Sequence, residues 1–84
     1  MTFDVIIPDK VQKQLKKLDR PAQERVLSAL ERIRIRPEAY LSKLVGDLEF
    51  KLRVGDYRVL VDVDWGREII SVVKIGHKRN IYDL

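Results

Sequence analysis

Cysteine is absent from this 84-residue chain, as are internal repeats, low-complexity tracts and long apolar runs. Without cysteine there is no disulfide framework, no thiolate metal site and no thiol nucleophile. That composition fits a reducing cytosol. No apolar run approaches the ~18 residues of a membrane span. The opening Met1-Thr2-Phe3-Asp4-Val5 lacks the basic and apolar regions of a secretory signal, so a cytoplasmic location and no membrane contact are expected. Histidine is scarce too, His77 being the only one. A two-histidine acid–base pair is therefore excluded. One histidine without a carboxylate cluster beside it supplies too few ligands for a metal, so neither metal nor cofactor is expected.

What the chain does have is charge: 17 Lys+Arg against 13 Asp+Glu, a net charge of +4. The total is ordinary, but the signs segregate. Asp62, Asp64 and Glu68 gather at one turn, while Lys51, Arg53, Arg58, Lys78 and Arg79 fall elsewhere. A local basic patch on a nearly neutral body suggests phosphate recognition.

The segment 50–61 shows how such a patch forms. Two alternating runs flank Gly55-Asp56, a dipeptide suited to a two-residue hairpin turn. The implied register pairs Val54 with Tyr57, Arg53 with Arg58, Leu52 with Val59, Lys51 with Leu60 and Phe50 with Val61. Side chains alternate faces along a strand. Phe50, Leu52, Val54, Tyr57, Val59 and Val61 then share an apolar face, and Lys51, Arg53 and Arg58 share the other. Like charges directly opposite cost roughly 0.2–1 kcal/mol. A fold gains nothing from setting Arg53 across from Arg58; an anionic partner would make sense of it. A merely solvated sheet face is the plainer reading of the same residues.

Around this hairpin the periodicities suggest one domain, 1–84, of α+β class. Thr2 to Ile7 alternates as a strand. Val11, Leu15 and Leu18 recur at helical spacing, as do Val26, Leu30 and Ile33, with Ala22 and Ala29 nearby. Asp19 is a good N-cap and Pro21 fits a first turn. Pro37 should stop the second helix near Arg36. Residues 37–48 read as irregular, with Leu41, Leu44 and Val45 tucked against the core beside Gly46 and Asp47. A turn at Asp64-Trp65-Gly66-Arg67 and a last strand from Glu68 to Ile75 complete the pattern. The expected fold is an N-terminal strand, an antiparallel two-helix hairpin and a three-stranded antiparallel meander, forming one sheet with the helices on one face. The first strand should join the edge beside the last strand.

The order of a lone strand, two basic helices, the hairpin Lys51-Leu52-Arg53-Val54-Gly55-Asp56-Tyr57-Arg58, and the ending Gly76-His77-Lys78-Arg79-Asn80-Ile81-Tyr82 resembles the RelE/ParE superfamily of toxins from bacterial and archaeal toxin–antitoxin pairs. The likeness spans the whole chain and is strongest to the RelE branch, archaeal members included. It implies a cytoplasmic, metal-independent endoribonuclease that enters the ribosomal A site, bound to ribosomal RNA and messenger. There the ribose 2′-hydroxyl attacks the neighbouring phosphate. It also implies a RelB-like antitoxin as partner, and operator DNA bound only through the toxin–antitoxin complex.

The family's functional residues fall on Lys51, Arg53 and Arg58, on Lys78 or Arg79, and on Tyr82. Where the bacterial prototype has a second lysine, this chain has Glu49. Cleavage by a 2′-hydroxyl needs a proton acceptor, a donor for the leaving oxygen, and positive charge on the phosphate. The reading assigns Arg53 and Arg58 to the phosphate as bidentate donors, Lys51 to the 2′ proton, Tyr82 to the ribose or a base, and Lys78 or Arg79 to the leaving oxygen. Lys10, Lys13 and Lys17 share one side of the first helix, as a solvated face or as contacts to ribosomal RNA. His77 is expected to shape the tail, and Asp62, Asp64 and Glu68 to form a solubilising loop. Two alternatives remain: a ParE-like poison of DNA gyrase, and a non-catalytic module that binds antitoxin or RNA.

Overall fold

The computed structural model describes residues 2–43 and 49–81. Their elements run β1 (Asp4–Ile6), α1 (Asp9–Lys16), α2 (Arg20–Ile33), α3 (Pro37–Tyr40), β2 (Leu41–Lys43), β3 (Phe50–Val54), β4 (Tyr57–Asp64) and β5 (Ile69–His77). The strands form one sheet in the order β1-β5-β4-β3-β2.

Two features depart from the expected meander. The sheet is mixed, because β1 runs parallel to β5. From β1 the chain passes through the helices to the opposite edge of the sheet and returns strand by strand, so β1 and β5 are neighbours without being consecutive. The sheet also gains a strand. Leu41–Lys43 pairs antiparallel with Phe50–Leu52 in a stretch expected to be irregular, and a short helical turn precedes it. Leu44, Val45, Gly46 and Asp47 lie outside the described residues.

The helices follow the stated signals. Asp19 Oδ1 accepts from the Ala22 amide at 3.1 Å, capping α2, and Pro21 sits in its first turn. The Gln23 side-chain amide donates to the Leu18 carbonyl at 2.8 Å, tying α2 back to the end of α1. Val26, Ala29, Leu30 and Ile33 from α2 and Val11 from α1 bury their apolar stripes against Leu52, Val54, Val59, Val61, Ile70, Val72 and Ile75. Leu15 and Leu18 pack on this core while partly exposed.

β5 is held on two sides by different means. β1 covers it only at Ile69–Ser71. Farther along, the Ile75 amide donates to Gln14 Oε1 of α1 at 2.9 Å. At the start of β5, Trp65 in the β4–β5 turn meets Phe3 and Phe50 edge-on, with ring centroids 5.7 and 6.1 Å away. Asp64 Oδ1 accepts from the Arg67 amide at 3.1 Å, so this acid shapes its own turn.

Candidate active site

The β3–β4 register is the one that alternation implies: Phe50↔Val61, Lys51↔Leu60, Leu52↔Val59, Arg53↔Arg58 and Val54↔Tyr57. Of the two central turn residues only Gly55 takes a positive φ, +56°. That is the requirement of a type II′ turn, which matches the twist of the strands. Leu52, Val54, Val59 and Val61 are buried under the helices. Alternation therefore turns Lys51, Arg53 and Arg58 to the opposite face. Tyr57 lies at the end of the helix-side row, half-buried, its ring edge-on to His77 at 5.6 Å.

β5 adds to this outer surface. Arg58 stands opposite Gly76, and Leu60 opposite Lys74. The row Arg53–Arg58–Gly76 thus lies beside the row Lys51–Leu60–Lys74. Lys74 is a basic residue of this face that sequence reasoning missed. The β4–β5 register that places it depends on an irregularity between Leu60 and Val61, which alternation alone does not reveal.

The guanidinium of Arg58 is held in place. Its Nη1 donates to the carbonyls of Gly55 and Tyr57, each at 2.8 Å. The rest of the fork has no partner among the described residues. A cation fixed by one nitrogen and open at the others is prepared for an anion. Arg53 is exposed and Lys51 half-buried.

The tail folds back beside the hairpin. His77 pairs with Tyr57, and the Lys78 amide donates to the Asp56 carbonyl at 2.8 Å. The Lys78 ammonium lies 3.5 Å from the Asp56 carboxylate. His77 Nδ1 accepts from the Arg79 amide at 3.2 Å, and its carbonyl accepts from the amides of Asn80 and Ile81. His77 therefore organises the tail, as expected. Ile81 is buried over Gly76, where a Cβ would come within 3.1 Å of its Cδ1. Lys74 Nζ donates to the Ile81 carbonyl at 3.3 Å.

These contacts separate two residues the sequence left equivalent. Lys78 is engaged by Asp56, whereas Arg79 is exposed without an ion pair among the described residues. Tyr82 lies outside the described residues. Lys10 and Lys13 on α1 and Lys17 at its C-cap are all exposed, and α1 lies along β5. Asp62 and Asp64 are exposed, and Asp62 shares the outer face at the end away from the arginines.

Residues 5–82 match the family model of the ParE toxin of the type II toxin–antitoxin system parDE. The chain is a toxin of the RelE/ParE superfamily. The fold of the toxin is that of RelE. It superimposes on the archaeal RelE–RelB complex of Pyrococcus horikoshii with a TM-score of 0.77 and 29% identity, covering 93% of this chain and 97% of that one. The RelBE2 toxin–antitoxin complex of Mycobacterium tuberculosis gives a TM-score of 0.84 at 20% identity, with 93% and 100% covered. A free E. coli RelE variant gives 0.76 at 23% identity, with 96% and 88% covered. No curated protein matches the toxin in sequence. Among the described residues no helix is long and apolar enough to cross a membrane.

Proposed function

We propose that the toxin is a ribosome-dependent messenger endoribonuclease. The observation that carries this reading is the Arg53–Arg58 pair. Arg53 and Arg58 are register partners across the hairpin, in the row that alternation turns away from the helices, and the Arg58 guanidinium is pinned by the turn's own carbonyls. Preorganised cations stabilise charge that develops on a phosphorane without reorganising during the reaction.

In this mechanism the scissile phosphate sits between Arg53 and Arg58. Lys51 lies one row away and takes the proton of the attacking 2′-hydroxyl. Arg79, held beside the hairpin by the His77 turn, serves the leaving 5′-oxygen, while Lys78 secures the tail through Asp56. Tyr82 is assigned to the ribose or a base. The ribosome supplies the alignment of the messenger, and orientation of that kind lowers barriers substantially. Lys10, Lys13 and Lys17 form a basic face for ribosomal RNA.

A RelB-like antitoxin is the expected partner, since the solved RelE relatives from M. tuberculosis and P. horikoshii are complexes with such proteins. Operator DNA would be met through that complex.

The test is induced expression with mapping of messenger 5′ ends, repeated in a translating extract. Arg58→Ala at wild-type folded stability should reduce cutting by roughly a hundredfold. Undiminished cutting removes Arg58 from the site. The family model, named for ParE, supports a second reading: poisoning of DNA gyrase. Trapped DNA breaks with intact messengers would establish it.

A further inference from the structure

On the helix side of the hairpin tip, α2 and β3 enclose an open groove of about 480 Å³. Arg25, Ser28 and Arg32 line it from α2, and Arg53 and Gly55 from the hairpin. Arg25 and Arg32 are seven residues apart, so they share a helix face and stand roughly 10 Å apart along it. The Arg25 guanidinium reaches Gly55, its Nη1 lying 3.8 Å from where a Cβ would project. The lining also holds one acid, Glu24, which lies 3.9 Å from Arg20 in an exposed pair, so the arginines outnumber it three to one. Among the described residues, Arg25, Arg32 and Arg53 have no ion pair.

Three arginines from two elements therefore converge on one concavity. All three are exposed, and a bound anion would be attracted to their combined charge. β2 covers β3 only as far as Leu52, so among the described residues the edge at Arg53 and Val54 has no neighbouring strand on that side. Arg53 belongs both to the outer row with Arg58 and to this groove. A polyanion can pass from one to the other over the uncovered edge.

We propose that this groove is a second phosphate-binding site for single-stranded RNA, with Arg25 and Arg32 as its contacts. It takes RNA as its ligand from the nuclease reading. The lining favours phosphate over an acidic protein segment. An amphipathic helix needs apolar anchors, and here only Pro21 and Val54 are apolar. A more apolar groove lies elsewhere, between β1 and α2, at Val5, Ile7, Leu27 and Leu30.

The experiment is fluorescence anisotropy with a short RNA carrying 2′-O-methyl riboses throughout, which binds but offers no nucleophile. Titrations are made over a range of salt. Arg25→Gln with Arg32→Gln should weaken binding about tenfold or more at low salt. It should also flatten the log–log salt dependence by about 1.4, the loss of two single-strand phosphate contacts. Ser28→Glu, an exposed change that leaves both arginines in place, should weaken the same RNA. Unchanged affinity and slope in both variants, with wild-type thermal melting, overturns the proposal. So does loss of binding to a polyglutamate peptide without loss of RNA. The Arg58→Ala variant keeps the two readings apart. If no messenger is ever cut but the groove variants lose RNA, the nuclease reading fails and the groove stands. If messengers are cut and the groove variants bind normally, only the groove fails.

Discussion

Asp56 and Lys78 meet twice: the Lys78 amide donates to the Asp56 carbonyl at 2.8 Å, and its ammonium lies 3.5 Å from the carboxylate. Residues 22 apart in sequence are thereby joined at the tip of the hairpin that carries the cationic row. The two contacts differ in weight. The ion pair is exposed on both sides, and such pairs contribute about 0–1 kcal/mol. Asp56→Ala should therefore lower stability in urea denaturation by under about 1 kcal/mol, because the backbone bond survives. A larger loss would mean that the carboxylate holds more than Lys78.

Gly55→Ala should cost more. The space at its Cβ is open, with the Arg25 guanidinium at ordinary contact distance, so crowding is not the issue. The φ of +56° is. An L-residue there costs roughly 1–2 kcal/mol. Equilibrium unfolding should read that loss, and cutting should fall with it, since Arg58 donates to the Gly55 carbonyl.

Gly76→Ala acts through space instead. Its new methyl would sit 3.1 Å from Ile81 Cδ1, so the tail must lift or Ile81 must turn. Faster amide hydrogen exchange at Asn80 and Ile81, with β4 and β5 unaffected, is the expected signature. Protection equal to the wild type would show that Ile81 yields without loosening the tail.

Gln14→Leu removes the acceptor from the Ile75 amide. A part-buried donor left without a partner costs about 1–3 kcal/mol. Thermal melting should show that loss, and the Ile75 amide should exchange faster. Gln14→Glu keeps an acceptor and should recover most of the difference.

Trp65→Ala removes two edge-on ring contacts, to Phe3 and Phe50. At about 0.5–1.5 kcal/mol each, the expected loss is about 1–3 kcal/mol. Double-mutant cycles with Phe3→Leu and Phe50→Leu would apportion it.

Much of this molecule was legible before its coordinates. The hairpin register followed from alternation around Gly55-Asp56, because one face had to be buried. The α2 stripe of Val26, Leu30 and Ile33 followed from helical spacing, and Asp19 from capping chemistry. Other features carried no local signal. Leu41–Lys43 is a strand only because β3 offers it an edge; three residues after a proline turn have no periodicity to read. The direction of β1 depends on the path of the helices. Lys74 joins the basic face through an irregular register, and Gln14 matters only because α1 lies along β5. The sequence offered Lys78 and Arg79 as equals, and only the position of Asp56 distinguishes them.

The way α1 seals β5 has a consequence for how the chain behaves in a crowd. A bare, lengthy strand margin invites other molecules to zip onto it and seeds fibrils. Here the Ile75 amide is already taken by Gln14, and the outermost strands, β1 and β2, are three residues each. The uncovered end of β3 carries a full positive charge at Arg53. A protein so guarded should stay dispersed at high concentration, leaving its cationic face available to the ligands it is meant to meet.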